Sequence, residues 1–158
     1  MVVQDITSKQ IPPRIIVYLR CRGSWRQLPD MIERLNRGMS QNSLGAVGPP
    51  SGIYYNTPNE VNTQELEWEI FYPVETEIPK TVHNNVDYGI KRLPETQAAS
   101  IMHRGSYRKA GSSYERLDEW IRSEGFKTCG PSEEVYVSVF GVPSEEQKME
   151  IRIPVSVK

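Results

Sequence analysis

The chain repeats itself at a spacing of 82 residues. Arg22-Gly23-Ser24-Trp25 returns as Arg104-Gly105-Ser106-Tyr107, Glu33-Arg34-Leu35 as Glu115-Arg116-Leu117, and Gly48-Pro49 as Gly130-Pro131. The same shift pairs Asp5 with Asp87, Lys9 with Lys91, Pro12 with Pro94 and Tyr54 with Tyr136. Beyond these the shift falls to 81, where Trp68-Glu69-Ile70-Phe71-Tyr72-Pro73-Val74 matches Met149-Glu150-Ile151-Arg152-Ile153-Pro154-Val155, so one residue has been lost in a loop. The copies run over residues 1–76 and 83–158. At 158 residues the chain is long enough for one domain with a substantial core, and the repeat predicts that two similar halves build it, neither stable alone.

Composition narrows the function classes. A formal net charge of −1 gives no positive field for a nucleic-acid backbone, so no nucleic-acid partner is expected. Residues 1–10 lack a basic start followed by an apolar stretch, and no segment approaches the roughly 20 apolar residues of a membrane-spanning helix. These features predict a soluble, cytoplasmic protein without membrane contact. Cys21 and Cys129 occupy non-equivalent repeat positions and are too few for a disulfide framework, so both are expected as thiols. No cluster of Cys, His and carboxylates has ligand spacing, and neither His83 nor His103 has the context of a haem ligand; no metal and no cofactor are assigned. The glycine-rich stretches lack phosphate-loop spacing, and no Ser-His-Asp or Cys-His set can be assembled.

Hydrophobic periodicity predicts the same elements in each copy. First strands are expected at Val2 to Ser8 and Val86 to Arg92, each followed by a Pro-marked turn. Alternation then predicts strands through Ile15 to Arg20 and Ala99 to Arg104. Helical spacing follows at Leu28, Met31, Ile32 and Leu35, and at Tyr114, Leu117, Trp120 and Ile121. Gly38 stands where the second helix has Trp120 and predicts early fraying of the first. Gly45 to Gly52 and Gly125 to Ser132 read as loops, after which Ile53-Tyr54-Tyr55 and Val135-Tyr136-Val137 open third strands. The polar stretch Glu75 to Asn85, with Pro79, reads as the connector.

Alternation also sorts side chains into layers. Val135, Val137 and Val139 share a face, as do Ile151, Ile153 and Val155, and these suit packing under a helix. The opposite face is expected to carry Tyr136, Ser138 and Phe140 beside Glu150 and Arg152. In the first copy it is expected to carry Tyr54, Glu69 and Phe71, with Tyr18 from the preceding strand. A carboxylate in mid-strand is costly to bury alone. Glu69 and Glu150 either face solvent or pair with Arg20, Arg104 or Arg152, or else one of them anchors an aromatic pocket that would favour a flat, lipophilic cation. Gly23 and Gly105 permit a tight strand-to-helix turn, and Ser24 or Ser106 can cap it. Trp25 and Tyr107 fit pocket lining and plain packing equally. Trp68, Trp120 and His103 fall on the core side.

Taken in order, His103-Arg104-Gly105-Ser106-Tyr107, Tyr114-Glu115-Arg116-Leu117 with Trp120, Gly130-Pro131, Glu134-Val135-Tyr136 and Glu150-Ile151-Arg152-Ile153-Pro154-Val155 resemble the GyrI-like effector-binding domain, the small-molecule-binding module of multidrug-responsive transcription regulators. The resemblance implies an α+β fold of tandem β-α-β-β modules, with a curved antiparallel sheet, helices on one side and a ligand cleft between the halves. It implies that Glu150 engages lipophilic, aromatic, cationic compounds, with Tyr136 beside it and Glu69 and Tyr54 as repeat mates; Trp25, Tyr107, Tyr18, Phe71 and Arg152 complete the candidate ligand-binding set. Arg152 departs from the aliphatic or aromatic residue of many relatives and would weaken a preference for cations. Some stand-alone relatives are hydrolases that open cyclopropanoid rings of alkylating toxins, and in that reading Glu150 and Tyr136 are the catalytic pair. A third reading is a gyrase-inhibitor-like protein with gyrase as partner. Regulators of the family carry a separate DNA-binding segment, for which no room is seen before the first repeat. Neither the ligand's identity nor the oligomeric state is specified by the sequence.

Overall fold

The structure, a computed structural model, describes residues 6–75, 88–138 and 142–157. The expected strand starts at Val2 and Val86, most of the connector with His83, and Val139 and Phe140 lie outside them. In chain order the strands are β1 (Ile6–Ile11), β2 (Arg14–Arg22), β3 (Ser51–Tyr54), β4 (Glu67–Val74), β5 (Tyr88–Leu93), β6 (Thr96–Arg104), β7 (Phe126–Thr128), β8 (Ser132–Tyr136) and β9 (Lys148–Val157), and the helices are α1 (Leu28–Gln41) and α2 (Gly111–Ser123). Nine strands and two α-helices among the described residues make a mostly antiparallel α+β fold. The third strands end near the residues expected to open them, and β7 forms inside a segment expected to be loop.

The chain divides into two compact units, residues 13–94 and residues 1–12 with 95–158. In the first, the strands pair in the order β3-β4-β2-β5. In the second they pair in the order β1-β6-β9-β8, with β7 on the far end of β9. Each unit therefore includes a strand from the other sequence copy: β5 lies against β2, and β1 against β6. The turns at Pro12-Pro13 and Pro94-Glu95 send the chain from one unit into the other. Proline there pins an extended bend without using an amide donor.

In the 13–94 unit, α1 starts with Pro29 and Asp30 in its first turn, where the missing N–H costs nothing and the negative charge faces unpaired amides. Its buried residues Ile32, Leu35 and Met39 pack on Val17, Leu19, Cys21, Trp68 and Ile70 of the sheet. Trp68 is fully buried, and its indole N–H donates to the Gly23 carbonyl at 3.0 Å. α1 does not fray at Gly38. A Cβ at that position would stand 3.1 Å from the Tyr88 ring, so glycine is where β5 approaches the helix, and Asn42 closes the end by donating its Nδ2 to the Gly38 carbonyl at 2.8 Å.

In the other unit, α2 packs against β6 and β7 and buries Ser113, Leu117 and Ile121. Trp120 lies at the margin rather than in the core and stacks on Phe126 with ring centroids 6.0 Å apart. Both strand-to-helix turns follow one plan. Gly23 and Gly105 have φ of 105° and 106°, and the Ser24 and Ser106 hydroxyls accept from the amides of Arg26 and Arg108 at 3.1 and 3.3 Å.

Candidate functional site

Strand register gives the 13–94 unit a second face, turned away from α1. Arg20 stands opposite Glu69, Tyr18 opposite Phe71, and Ile16 opposite Lys91, while Ile53 of β3 stands opposite Glu69. Glu69 is fully buried, and Lys91 Nζ approaches its Oε1 at 2.6 Å. The same ammonium lies 4.3 Å from the centroid of the Tyr18 ring. Tyr55 closes the other side. Burial, and then the negative charge of Glu69, push its hydroxyl up to about 12, against the opposing charge of Arg20, whose guanidinium sits 5.6 Å from the ring centroid. Arg14 lies 5.5 Å from the centroid of Phe71. The result is a carboxylate among three aromatic rings, with cationic side chains on those rings.

The matching face of the other unit is built differently. Glu150 stands opposite Met102 and Val135, and Arg152 opposite Ser100 and Glu133. Glu150 receives Ser100 Oγ at 2.7 Å, two guanidinium donors of Arg152 at 3.0 Å each, and Lys9 Nζ at 2.5 Å. Arg152 also reaches Glu133 at 3.1 Å. Burial opposes the Glu150 charge, but the donors from Arg152, Lys9 and Ser100 together outweigh it and hold the carboxyl down to about 2. Strands β1, β6, β8 and β9 contribute no aromatic ring to this face among the described residues.

Tyr136 and Tyr54 are corrections to the sequence reading. Tyr136 pairs with Met149 and Tyr54 with Trp68, so both lie on the helix side of their sheets, opposite to Glu150 and Glu69. Tyr54 stacks on Trp68 at 6.2 Å and meets Trp25 edge-on at 5.3 Å. Tyr136 packs at 5.7 Å from Tyr107 and donates to Glu134 Oε1 at 2.9 Å, and Tyr114 donates to the other Glu134 oxygen. Burial raises the Glu134 carboxyl; the tyrosine donors and His103 oppose the rise without reversing it. His103 is buried, with Nδ1 2.8 Å from Ser113 Oγ and Nε2 2.8 Å from the Ser106 carbonyl, as its place on the core side implied. Thus Tyr18 and Phe71 join Glu69, Arg152 joins Glu150, and Trp25, Tyr54, Tyr107 and Tyr136 go to the helix sides. The pair Glu150 and Tyr136 is split across a sheet and cannot act on one substrate atom from these positions.

A family model for the GyrI-like small molecule binding domain matches residues 4–156. The chain belongs to this family. A search of the curated proteins found no match. The GyrI-like domain described here superposes on the crystal structure of the EcmrR C-terminal domain with a TM-score of 0.84 and 18% identity, covering 99% of this chain and all of that one. Against EcmrR in its complex with DNA the TM-score is 0.83 at 18% identity, and the GyrI-like domain, 98% of which is covered, spans only 58% of that chain. A hydrolase encoded by lin2189 from Listeria innocua gives 0.73 at 14% identity, covering 96% and 91% of the two chains. SAV2435 bound to tetraphenylphosphonium gives 0.61 at 16% identity, covering 96% and 94%. At these identities the likeness is one of fold.

Sequence reasoning missed three residues of the GyrI-like domain's two faces. Lys91 and Lys9 pair with the glutamates, and Tyr55 takes the place given to Tyr54. The lysines carried a signal, since they are repeat mates at the 82-residue shift. Among the described residues no helix is long and apolar enough to cross a membrane, and no group of three or more His, Cys, Asp or Glu side chains is placed to hold a metal ion.

Proposed function

We propose that this GyrI-like domain captures a flat, lipophilic aromatic molecule on the sheet face that carries Glu69, with Tyr18, Tyr55 and Phe71 as its apolar walls. The observation that carries the reading is the buried Glu69 carboxylate among these rings, because aromatic faces offer area without directional demands and a buried charge fixes orientation. The family supports small-molecule binding, and tetraphenylphosphonium on SAV2435 is a ligand of the expected lipophilic kind. The reading moves the anchor from Glu150 to Glu69: Glu150 is saturated by four donors and has no ring on its own face among the described residues. The parallel strand orders of the units support the duplicated β-α-β-β module.

The test is titration of the full chain with a neutral polycyclic fluorophore such as pyrene. Tyr18→Ala and Tyr55→Ala are expected to weaken binding about fivefold or more each, the loss of one stacking surface. Tyr136→Phe, on the helix side of the other unit, is expected to leave it unchanged. Unaltered affinity in both alanine variants would show that this face is not the site.

A hydrolytic reading has one observation in its favour, Tyr55 and Glu69 on a single face, where the carboxylate's charge helps to raise the tyrosine hydroxyl. A carboxylate that activates water beside a protonated tyrosine donor is a workable pair for opening a strained ring. Turnover beyond one equivalent, followed by mass spectrometry with a cyclopropanoid substrate, separates it from capture, and Glu69→Gln abolishes that turnover if the reading holds.

A further inference from the structure

In both units the glutamate is already occupied by a cation that belongs to the chain. Lys91 Nζ makes the two contacts a lipophilic cation would seek on its face, 2.6 Å from Glu69 and 4.3 Å from the Tyr18 ring centroid. Lys9 Nζ lies 2.5 Å from Glu150. The lysines stand at matched repeat positions, on β5 and β1, the strands that each unit takes from the other sequence copy. A ligand cation approaching the fully buried Glu69 would compete with an ammonium already in ion-pair contact with Oε1, whose positive charge repels it.

The wider charge of each face points the same way. Register gives the Glu69 face Arg14, Arg20, Arg22 and Lys91 against Glu67 and Glu69, four positive side chains to two negative. The Glu150 face of β1, β6, β8 and β9 carries Lys9, Arg104, Lys148 and Arg152 against Glu133 and Glu150, again four to two. Both are positive in a chain whose formal net charge is −1. Three of the cationic groups, Arg14, Arg20 and Lys91, sit on Phe71, Tyr55 and Tyr18, where an aromatic ligand would stack and place a substituent beside them.

We propose that Lys91 sets the charge preference of this domain: it supplies internally the cation Glu69 would otherwise take from a ligand, as Lys9 does for Glu150, so that the domain selects aromatic anions over aromatic cations. The inference rests on the reading of the Glu69 face as a small-molecule site and specifies the ligand class for it.

The experiment uses an isosteric pair of opposite charge, tetraphenylborate and tetraphenylphosphonium, with pyrene as a neutral third probe, each titrated into the full chain by calorimetry at one ionic strength. The unaltered protein is expected to bind the borate at least about tenfold more tightly than the phosphonium, and the Lys91→Gln protein to lose that preference. Because Lys91→Gln leaves Glu69 buried without its cation, Glu69→Gln serves as a second variant whose fold does not depend on that charge. It is expected to raise the borate-to-phosphonium ratio about threefold or more. Equal or tighter phosphonium binding by the unaltered protein overturns the proposal, and so does a ratio that neither variant moves. If pyrene still binds in those cases, the small-molecule reading survives and only the role of Lys91 falls; if pyrene and both ions fail to bind, both readings fall.

Discussion

Removing the Glu150 charge should change how stability depends on pH, and the structure sets the size and sign. The carboxyl is held at about 2 in the folded chain, against an ordinary value of 4.5. A depressed carboxyl contributes stability that is present above 4.5 and lost as pH falls toward 2. At pH 3 the unfolded chain would have taken up the proton almost completely and the folded chain hardly at all, which gives a loss of about 2 kcal/mol relative to pH 7. Lys9 is partly exposed, so solvent screening brings the expected loss to about 1–2 kcal/mol. The assay is urea unfolding of the unaltered chain and of Glu150→Gln at pH 7, 5, 4 and 3. Other titrating groups are common to both proteins, so the difference between their unfolding free energies isolates Glu150. It should be largest at pH 7 and shrink by about 1–2 kcal/mol by pH 3. A difference that stays constant across the series would refute the assignment of the Arg152, Lys9 and Ser100 contacts as a net stabilising set.

Glu134 should show the opposite sign: its carboxyl is raised above 4.5 in the folded chain, so the unaltered protein gains on Glu134→Gln as pH falls toward 4.5, measured by urea midpoints, and a relative loss on that approach would contradict the burial argument. Gly105→Ala should cost about 1–2 kcal/mol in unfolding free energy from backbone strain alone, since open space surrounds its Cβ position. Gly23→Ala should cost more, because the new Cβ would stand 2.9 Å from Gln27 Nε2 and disturb its hydrogen bonds to the Arg22 and Ser24 carbonyls; equal melting temperatures for the two variants would refute this. Gly38→Val should destabilise α1 through the Tyr88 ring, with most of the loss, about 1–2 kcal/mol, recovered in Gly38→Val/Tyr88→Ala, as a double-mutant cycle by chemical denaturation would read.

Long strands were legible in the sequence because each shows several alternations. The nine residues of β2 and of β6 and the eight of β4 are enough to place Trp68 on the helix side, Glu69 on the other, and His103 against α2. The short third strands were not. β3 has four residues and β8 five, so the face of Tyr54 or Tyr136 is decided by which residue of the neighbouring strand it meets, and that register is not local information. In Tyr54-Tyr55 either ring could have faced Glu69; Ile53 meets Glu69, and Tyr55 therefore does too. The lysines were hidden for a different reason. Lys9 and Glu150 lie 141 positions apart and come together only because β1 joins β6, a pairing that alternation within a strand cannot reveal.

The crossing of β1 and β5 also bears on the order in which the chain can acquire structure. Strand β1 is the earliest described segment to be synthesised, yet its neighbour β6 begins only at Thr96, after the whole of β2 to β5. The 13–94 unit can close as soon as β5 is made, whereas residues 6–11 must wait as an unpaired strand. Closing so long a loop is entropically slow, and an unpaired strand in the interval invites pairing with another nascent chain. Thr7, Ser8, Lys9 and Gln10 make that waiting strand polar, which keeps it soluble until β6 arrives.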